Sequence, residues 1–251
     1  MIAKFNDHFS DVAQDYRKYR PEYPSNLFAF VSFISPNQET AWDCATGTGQ
    51  SARVLAQSFS QVIATDASQA QINQATRSHN IHYRVFPAEK TNIDDQSIDL
   101  ITVAQALHWF DIDKFFIEAN RVLKSGGVLA VWSYNLLTIN DELDNVINEF
   151  YGSVLSKYWP PERKFVEDRY ETIDFPFQEI QCPPFEMTTN WKFTQLLGYL
   201  NTWSAVVNYR EQHGNNPIDD IQDKLEALWG DPKKQLTVKW PLTVKVRVKP
   251  N

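Results

Sequence analysis

Residues 41–52 read AWDCATGTGQSA, an apolar run that ends on an acid, Asp43, and passes at once into two glycines one residue apart. Glycines so spaced let the backbone turn sharply and approach a ligand closely. Ala52, Leu55, Ala56 and Phe59 then share one helical face, so the turn joins a strand to a helix. The segment GTGQSA satisfies the pattern G-x-G-x-x-G/A, and Asp66 follows about twenty positions on, where an acid binds ribose hydroxyls. Asp43 discriminates between the nucleotides that such a turn accepts. Facing a pyrophosphate, a carboxylate at the mouth of the turn meets like-charge repulsion in a partly desolvated site. Facing the ammonium and sulfonium groups of S-adenosylmethionine, it meets attraction, directly or through water. The acid before the glycines therefore favours S-adenosylmethionine over NAD.

Outward from this turn, residues 39–134 alternate β-type and helical runs, which predicts a parallel sheet with crossover helices. The strands are TAWDCA, QVIATD, IHYRVF, IDLITVA and VLAVWSY, and Ser68 is placed to cap the helix after the second. Phe115, Phe116, Ala119, Val122 and Leu123 form a helical stripe that KSGG, residues 124–127, closes as a C-cap. Beyond residue 140 the pattern changes. Leu143, Val146, Ile147, Phe150, Val154 and Leu155 predict an amphipathic helix over 141–157, ended by Pro160 and Pro161. The polar stretch to about residue 175 reads as a loop or lid, and 191–209 and 217–229 read as helices, the second capped by Asn216. The last run, QLTVKWPLTVKVRVK, alternates as a half-exposed strand in which Pro241 marks an edge or a bulge.

Composition narrows the function. A net charge of -7 weighs against binding to a nucleic-acid backbone, and no basic run appears. Aromatic residues reach 14%, enough to fill a core and to line a pocket for a small apolar substrate. Cys44 and Cys182 offer neither a disulfide framework nor metal-ligand spacing. With no membrane-length apolar run and no signal peptide in MIAKFNDHFSD, the reading is a cytoplasmic protein with no membrane, nucleic-acid or metal partner. Oligomeric state is not legible.

Several segments together resemble a known family: FSDVAQDYRKYRPEYP at 9–24, DCATGTGQ at 43–50, ATDAS at 64–68, AQALHWFD at 104–111, EANRVLKSGGVLAVW at 118–132 and GYLNTWSAV at 198–206. The chain resembles the class I S-adenosylmethionine-dependent methyltransferases of methyltransferase type 11, and within them the trans-aconitate methyltransferase-like branch. The resemblance implies an α/β, Rossmann-like fold: a seven-stranded, mostly parallel sheet with the last strand antiparallel, helices on both faces and a small helical cap. It implies one methyltransferase domain over 1–251, with an N-terminal helical cofactor lid at 1–35, a core at 36–135, a cap insertion at about 136–175 and C-terminal cap helices and strands at 176–251.

Carried over residue by residue, the resemblance places Asp43, Ala45, Thr46, Gly47, Gly49 and Gln50 around the methionine half of the cofactor. Asp66 matches the ribose acid, Ala67 lies beside the adenine, and Ala88 and Glu89 match the turn at the adenine edge. Gln105 and Ala106 end the fourth strand near the reactive sulfur, and Tyr16 and Arg20 fold over the cofactor, Arg20 facing its carboxylate. His108, Trp109, Tyr134 and Trp203 are the substrate candidates, with His108 as base or pocket wall. The family pattern commonly has glycine where this chain has Ala45, which argues against a left-handed backbone there. Against these stand plainer readings: Asp66 as a helix cap, Tyr16 and Tyr19 as anchors of the N-terminal helix, Trp191 and Trp203 as core or lid packing. The implied activity is methyl transfer from S-adenosylmethionine, with S-adenosylhomocysteine as product, to a carboxylate or hydroxyl of a small molecule. An NAD(P)-binding oxidoreductase and a non-catalytic S-adenosylmethionine-binding protein are the alternatives.

Overall fold

The computed structural model describes Tyr19 and residues 21–251. Tyr16 and Arg20, two of the expected cofactor contacts, lie outside the described residues. Strands β1 (Thr40–Cys44), β2 (Gln61–Asp66), β4 (Ile98–Ala104) and β5 (Leu123–Tyr134) are buried along nearly their whole length, as parallel strands covered on both faces must be. Their side chains alternate between two apolar layers. On one face Trp42, Ile101, Val103, Leu129 and Val131 pack with Phe115, Ala119 and Val122 of α4 (Ile112–Val122). On the other, Ala41, Val62, Leu100, Ala130 and Trp132 pack with Leu27 and Val31 of α1 (Ser25–Ile34) and with Ala52 and Leu55 of α2 (Gln50–Leu55). The edge strand β3 (Ile81–Val85) follows α3 (Gln69–Asn73), whose cap Ser68 accepts from Gln71 N–H as expected.

The strand order is β3-β2-β1-β4-β5-β8-β6, with β6 (Gln178–Ile180) and β8 (Leu236–Val248) at one end. The first five strands run parallel, and β8 is antiparallel to β5 from Val128 opposite Val248 to Tyr134 opposite Leu242. These are the seven expected strands. An eighth, β7 (Glu186–Trp191), lies off this path and pairs with the first half of β8.

Several local expectations change. The KSGG stretch is not a helix cap: α4 stops at Val122, Leu123 is already extended, and residues 124–127 run inside β5, where a register shift against β4 and Gly126 at φ 72° absorb them. The closing strand alternates as expected in its first half, with Val238 and Trp240 buried between exposed Thr237, Lys239 and Pro241, while its second half lies inside the sheet between β5 and β6. Residues 236–241 pair with β7 and 242–248 with β5, so Pro241, which has no N–H to donate, sits where the partner changes. The helix expected over 141–157 is α5 (Asp141–Glu149) continued by a π turn, Phe150–Val154. The stretch read as a loop or lid holds α6 (Arg163–Glu167), and Val166 and Tyr170 are buried against the α4 face of the sheet. The helix expected over 191–209 is two, α7 (Phe193–Asn201) and α8 (Ser204–His213), with Trp203 at the break and Trp191 in β7. In α9 (Asp219–Trp229) the cap position is Ile218, and Asn216 accepts from Ile218 N–H one turn earlier.

These C-terminal helices build a second apolar cluster, in which Leu143, Phe150, Leu196, Tyr199, Trp203, Leu225 and Trp240 are buried together. Tyr19, Pro21 and Tyr23 are tied to both parts. Pro21 O accepts from Gln50 Nε2 at 3.0 Å, Tyr23 meets Trp132 edge-on at 5.5 Å, and Tyr19 rests on Gly198, where an added Cβ would lie 2.4 Å from the ring. Exchange of Gly198 for Ala supplies a better helix former but pushes the Tyr19 ring away, so overpacking decides the outcome. The expected loss is about 1–3 kcal/mol in a denaturant melt. Adding Tyr19→Ala to Gly198→Ala should return part of it, and strict additivity of the two substitutions would show that this contact is not the cause.

Candidate functional site

The crevice lies where the strand order reverses, between β1 and β4, at the carboxyl ends of the strands. Each of these two strands ends on a non-glycine residue in the left-handed region: Ala45 at φ 54° and Gln105 at φ 55°. Ala45 is thus left-handed, against the expectation from its side chain. The turn demands that conformation, and the methyl group is tolerated at a cost of about 1–2 kcal/mol. Gly47 (φ 56°) and Gly49 (φ 86°) complete the turn, and at Gly49 an added Cβ would lie 2.1 Å from the Tyr83 hydroxyl.

Hydrogen bonds fix this loop from behind. Asp66 accepts from the backbone N–H of Gly47 and of Ser68, both at 2.8 Å, so its carboxylate clamps the glycine turn to the end of β2. It is not the cap of α3, a place that Ser68 takes. Asp43 was expected at the mouth of the crevice, and the structure corrects this: it is 1% exposed and accepts from the hydroxyls of Thr46 and, at 2.7 Å, Thr102. Burial pushes its carboxyl up to about 6, against the pull of both hydroxyls. Ala67 follows Asp66 in the turn before Ser68, Ala88 is buried, and Glu89 accepts from Asp111 N–H at 2.9 Å. The Gln105 side chain is occupied, donating to Tyr134 O at 3.0 Å and accepting from Tyr134 N–H at 2.9 Å, so it joins the ends of β4 and β5 as a strand would. Ala106, buried, opens the short 3-10 turn Leu107–Trp109.

A cleft opens beside these strand ends. Gln105, His108 and Trp109 come from the end of β4, Tyr134, Asn135 and Leu136 from the end of β5. Trp159, Pro160 and Arg163 come from the segment around α6, and Tyr199, Thr202, Trp203 and Ser204 from α7, α8 and the break between them. All four substrate candidates of the sequence line it. His108 is 6% exposed, with Nδ1 2.9 Å from the Tyr170 hydroxyl. Burial, with the Arg163 cation added, lowers its pKa to about 3, and burial holds the Tyr170 hydroxyl above its ordinary value. Tyr170 reaches this position because Arg169 and Tyr170 are both left-handed, at φ 53° and 55°.

The family model described as a methyltransferase domain matches residues 42–131, the strands and turns that build the crevice. A provisionally named methyltransferase of Dictyostelium discoideum is 33% identical over 227 residues, covering 89% of this chain and 86% of its own. The solved structure of a provisionally named type II methyltransferase from Anaeromyxobacter dehalogenans matches with a TM-score of 0.87 and 41% identity, over 93% of this chain and 100% of that one. The chain belongs to the methyltransferase family. A phosphoethanolamine N-methyltransferase 2 of Haemonchus contortus, solved with S-adenosylmethionine, shares the fold at a TM-score of 0.50 and 17% identity, over 98% of this chain and 59% of its own.

This methyltransferase uses S-adenosylmethionine, and the nicotinamide alternative falls. The residues present fit that cofactor. Residues 43–50 carry no cationic side chain to neutralise a pyrophosphate, while two carboxylates, Asp43 and Asp66, meet at the turn. Among the described residues no helix is long and apolar enough to cross a membrane, and no cluster of His, Cys, Asp or Glu can hold a metal ion. Sequence reasoning missed Trp159, Arg163 and Tyr199, which reach the cleft from remote segments, and Tyr170, which stands behind His108. The aromatic surplus and the cap expected from about residue 136 onward pointed to these segments without naming the residues.

The elevated Asp43 pKa sets a pH dependence. Its folded value exceeds the unfolded one, so the ligand-free fold is most stable below about pH 4 on this account. It loses about 3 kcal/mol as pH rises from about 4 to 6, and is level above. A cationic cofactor favours the ionised carboxyl, so S-adenosylmethionine affinity should rise through about pH 6 and level off above it. In titration calorimetry between pH 5 and 7.5, Asp43→Asn should abolish this slope, and a slope that persists would place its origin elsewhere.

Proposed function

We propose that this methyltransferase transfers the methyl group to an oxygen of a small-molecule acceptor, a carboxylate rather than a hydroxyl. The observation that carries the choice is the state of His108, the one group among the described residues of the cleft available as a base. If Tyr170 donates to Nδ1, the other ring nitrogen carries the proton and accepts nothing. If Nδ1 donates to Tyr170, the free nitrogen belongs to an imidazole with a pKa of about 3, too weak to take a proton from a hydroxyl. A carboxylate arrives ionised and asks for no base.

S-adenosylmethionine supplies a methyl group on cationic sulfur, already activated for in-line displacement. The oxygen–carbon bond forms as the carbon–sulfur bond breaks, the electron pair stays on sulfur, and the carboxylate leaves as a neutral ester without moving a proton. Alignment and exclusion of water are what remains for the protein. The turn at Asp43, Ala45, Thr46, Gly47, Gly49 and Gln50 holds the methionine half, Asp66 the ribose, and Ala67, Ala88 and Glu89 the adenine side. Gln105 and Ala106 set the floor between cofactor and acceptor. His108, Trp109, Tyr134 and Trp203 form the acceptor walls, and His108 serves as a neutral wall.

Two measurements test this. Incubation of a small-molecule extract with methyl-labelled S-adenosylmethionine should yield label that mild alkali releases as methanol, the behaviour of an ester. Label that resists alkali, as in ethers, amines and carbon-methylated products, would overturn the reading. Exchange of His108 for Gln should lower kcat by less than about tenfold, whereas loss of a general base costs about a hundredfold or more. The shape of the pH profile between 6 and 9 should stay as it is.

A further inference from the structure

We infer that Arg163 is the residue that selects the acceptor, and that it takes the carboxylate of a flat, aromatic or unsaturated monocarboxylic acid. This rests on the reading of the cleft as the acceptor site. Among the described residues lining the cleft, Arg163 is the one that carries a charge. Its guanidinium is held in place without a carboxylate: Nε donates to the Tyr151 hydroxyl at 3.0 Å and Nη2 to Asn135 Oδ1 at 2.8 Å. It also lies over the Trp159 ring at 5.2 Å and the Tyr151 ring at 5.6 Å. Among the described residues no ion pair includes it, and Glu167 reaches it only through the Tyr151 hydroxyl. Its remaining N–H donors have no acceptor among them.

A positioned cation with spare donors, in a cleft whose described lining holds no counter-charge, suits one anion of planar, two-oxygen geometry. One cation argues for one carboxylate. The walls define the rest of the molecule: Trp109, Tyr134, Trp159, Tyr199 and Trp203 present ring faces and edges, which favour a flat, polarisable body over a branched or polyhydroxylated one. His108, neutral beside the cation, adds no competing charge.

Chemistry also says how Arg163 acts. The carboxylate loses its negative charge during transfer, so the guanidinium holds the bound acceptor at least as firmly as the transition state. It is a residue of binding and orientation, and its removal should raise KM while leaving kcat level or higher.

The probes are benzoate, cinnamate and phenylacetate, each against its amide, titrated onto the protein saturated with S-adenosylhomocysteine and assayed with methyl-labelled S-adenosylmethionine. The expected result is binding of the acids about tenfold to a hundredfold more tightly than the amides. Arg163→Met should erase that preference and Arg163→Lys keep part of it, with the affinity for S-adenosylhomocysteine within about twofold of wild type in both, a change small beside one hydrogen bond to a charge. Retained binding of that product also shows that the variants are folded. The inference is overturned if no acid of the panel binds at millimolar concentration or if the amides bind as well as the acids. It is equally overturned if Arg163→Met weakens the product and leaves the acids untouched, which would make the cofactor carboxylate the partner. Failure of the ester reading is separate: it shows as alkali-stable label on natural acceptors while the acids still bind at Arg163.

Discussion

Asp43 accepts hydrogen bonds from Thr46 on its own loop and from Thr102 on β4, so one buried carboxylate ties together the two strands that part at the switch point. The arrangement is costly, because burial disfavours the charge, and the two hydroxyls offset only part of that penalty. What it secures is a loop shape. With Thr46 anchored from below and Gly47 held by Asp66 from the side, the left-handed residues of the turn have no freedom to relax. Strain of this kind persists only where its surroundings over-determine it, and here both restraints are carboxylates.

The acceptor side is built on a different principle. The turn is local, made from residues close together in sequence, whereas the cleft gathers side chains from the ends of β4 and β5, the α6 segment and the α7–α8 break. Three of its polar side chains are held by the protein itself: Gln105 on the Tyr134 backbone, His108 on Tyr170, Arg163 on Asn135 and Tyr151. A site so arranged is shaped before a ligand arrives, and methyl transfer, which asks mainly for alignment, benefits from that.

The parts legible in the sequence were those whose signal is local. The parallel strands, the glycine turn and the Ser68 cap each depend on spacing within a few residues or one repeat, and the structure shows all of them, with Asp66 clamping the turn. Four of the residues that line the cleft, His108, Trp109, Tyr134 and Trp203, were also found, because they sit at strand ends or in a recognisable segment. Signals that depend on distant partners were not legible. The depth of Asp43 is set by Thr102 on another strand, the double pairing of β8 by β7 and β5, and the packing of α6 by Tyr170 meeting His108. Ala45 shows a subtler limit: a residue preference was allowed to outweigh a turn that the surrounding bonds enforce.

The divided strand β8 bears on motion. Its first half, with Val238 and Trp240, belongs to the apolar cluster of the C-terminal helices, and its second half, with Val246, belongs to the layer beneath the central sheet. One continuous backbone thus runs through both regions, and its pairing partner changes at Pro241. β7 belongs to the same cluster as the first half of β8, so the cluster can tilt only by bending β8 at Pro241, which leaves the β5 ladder whole.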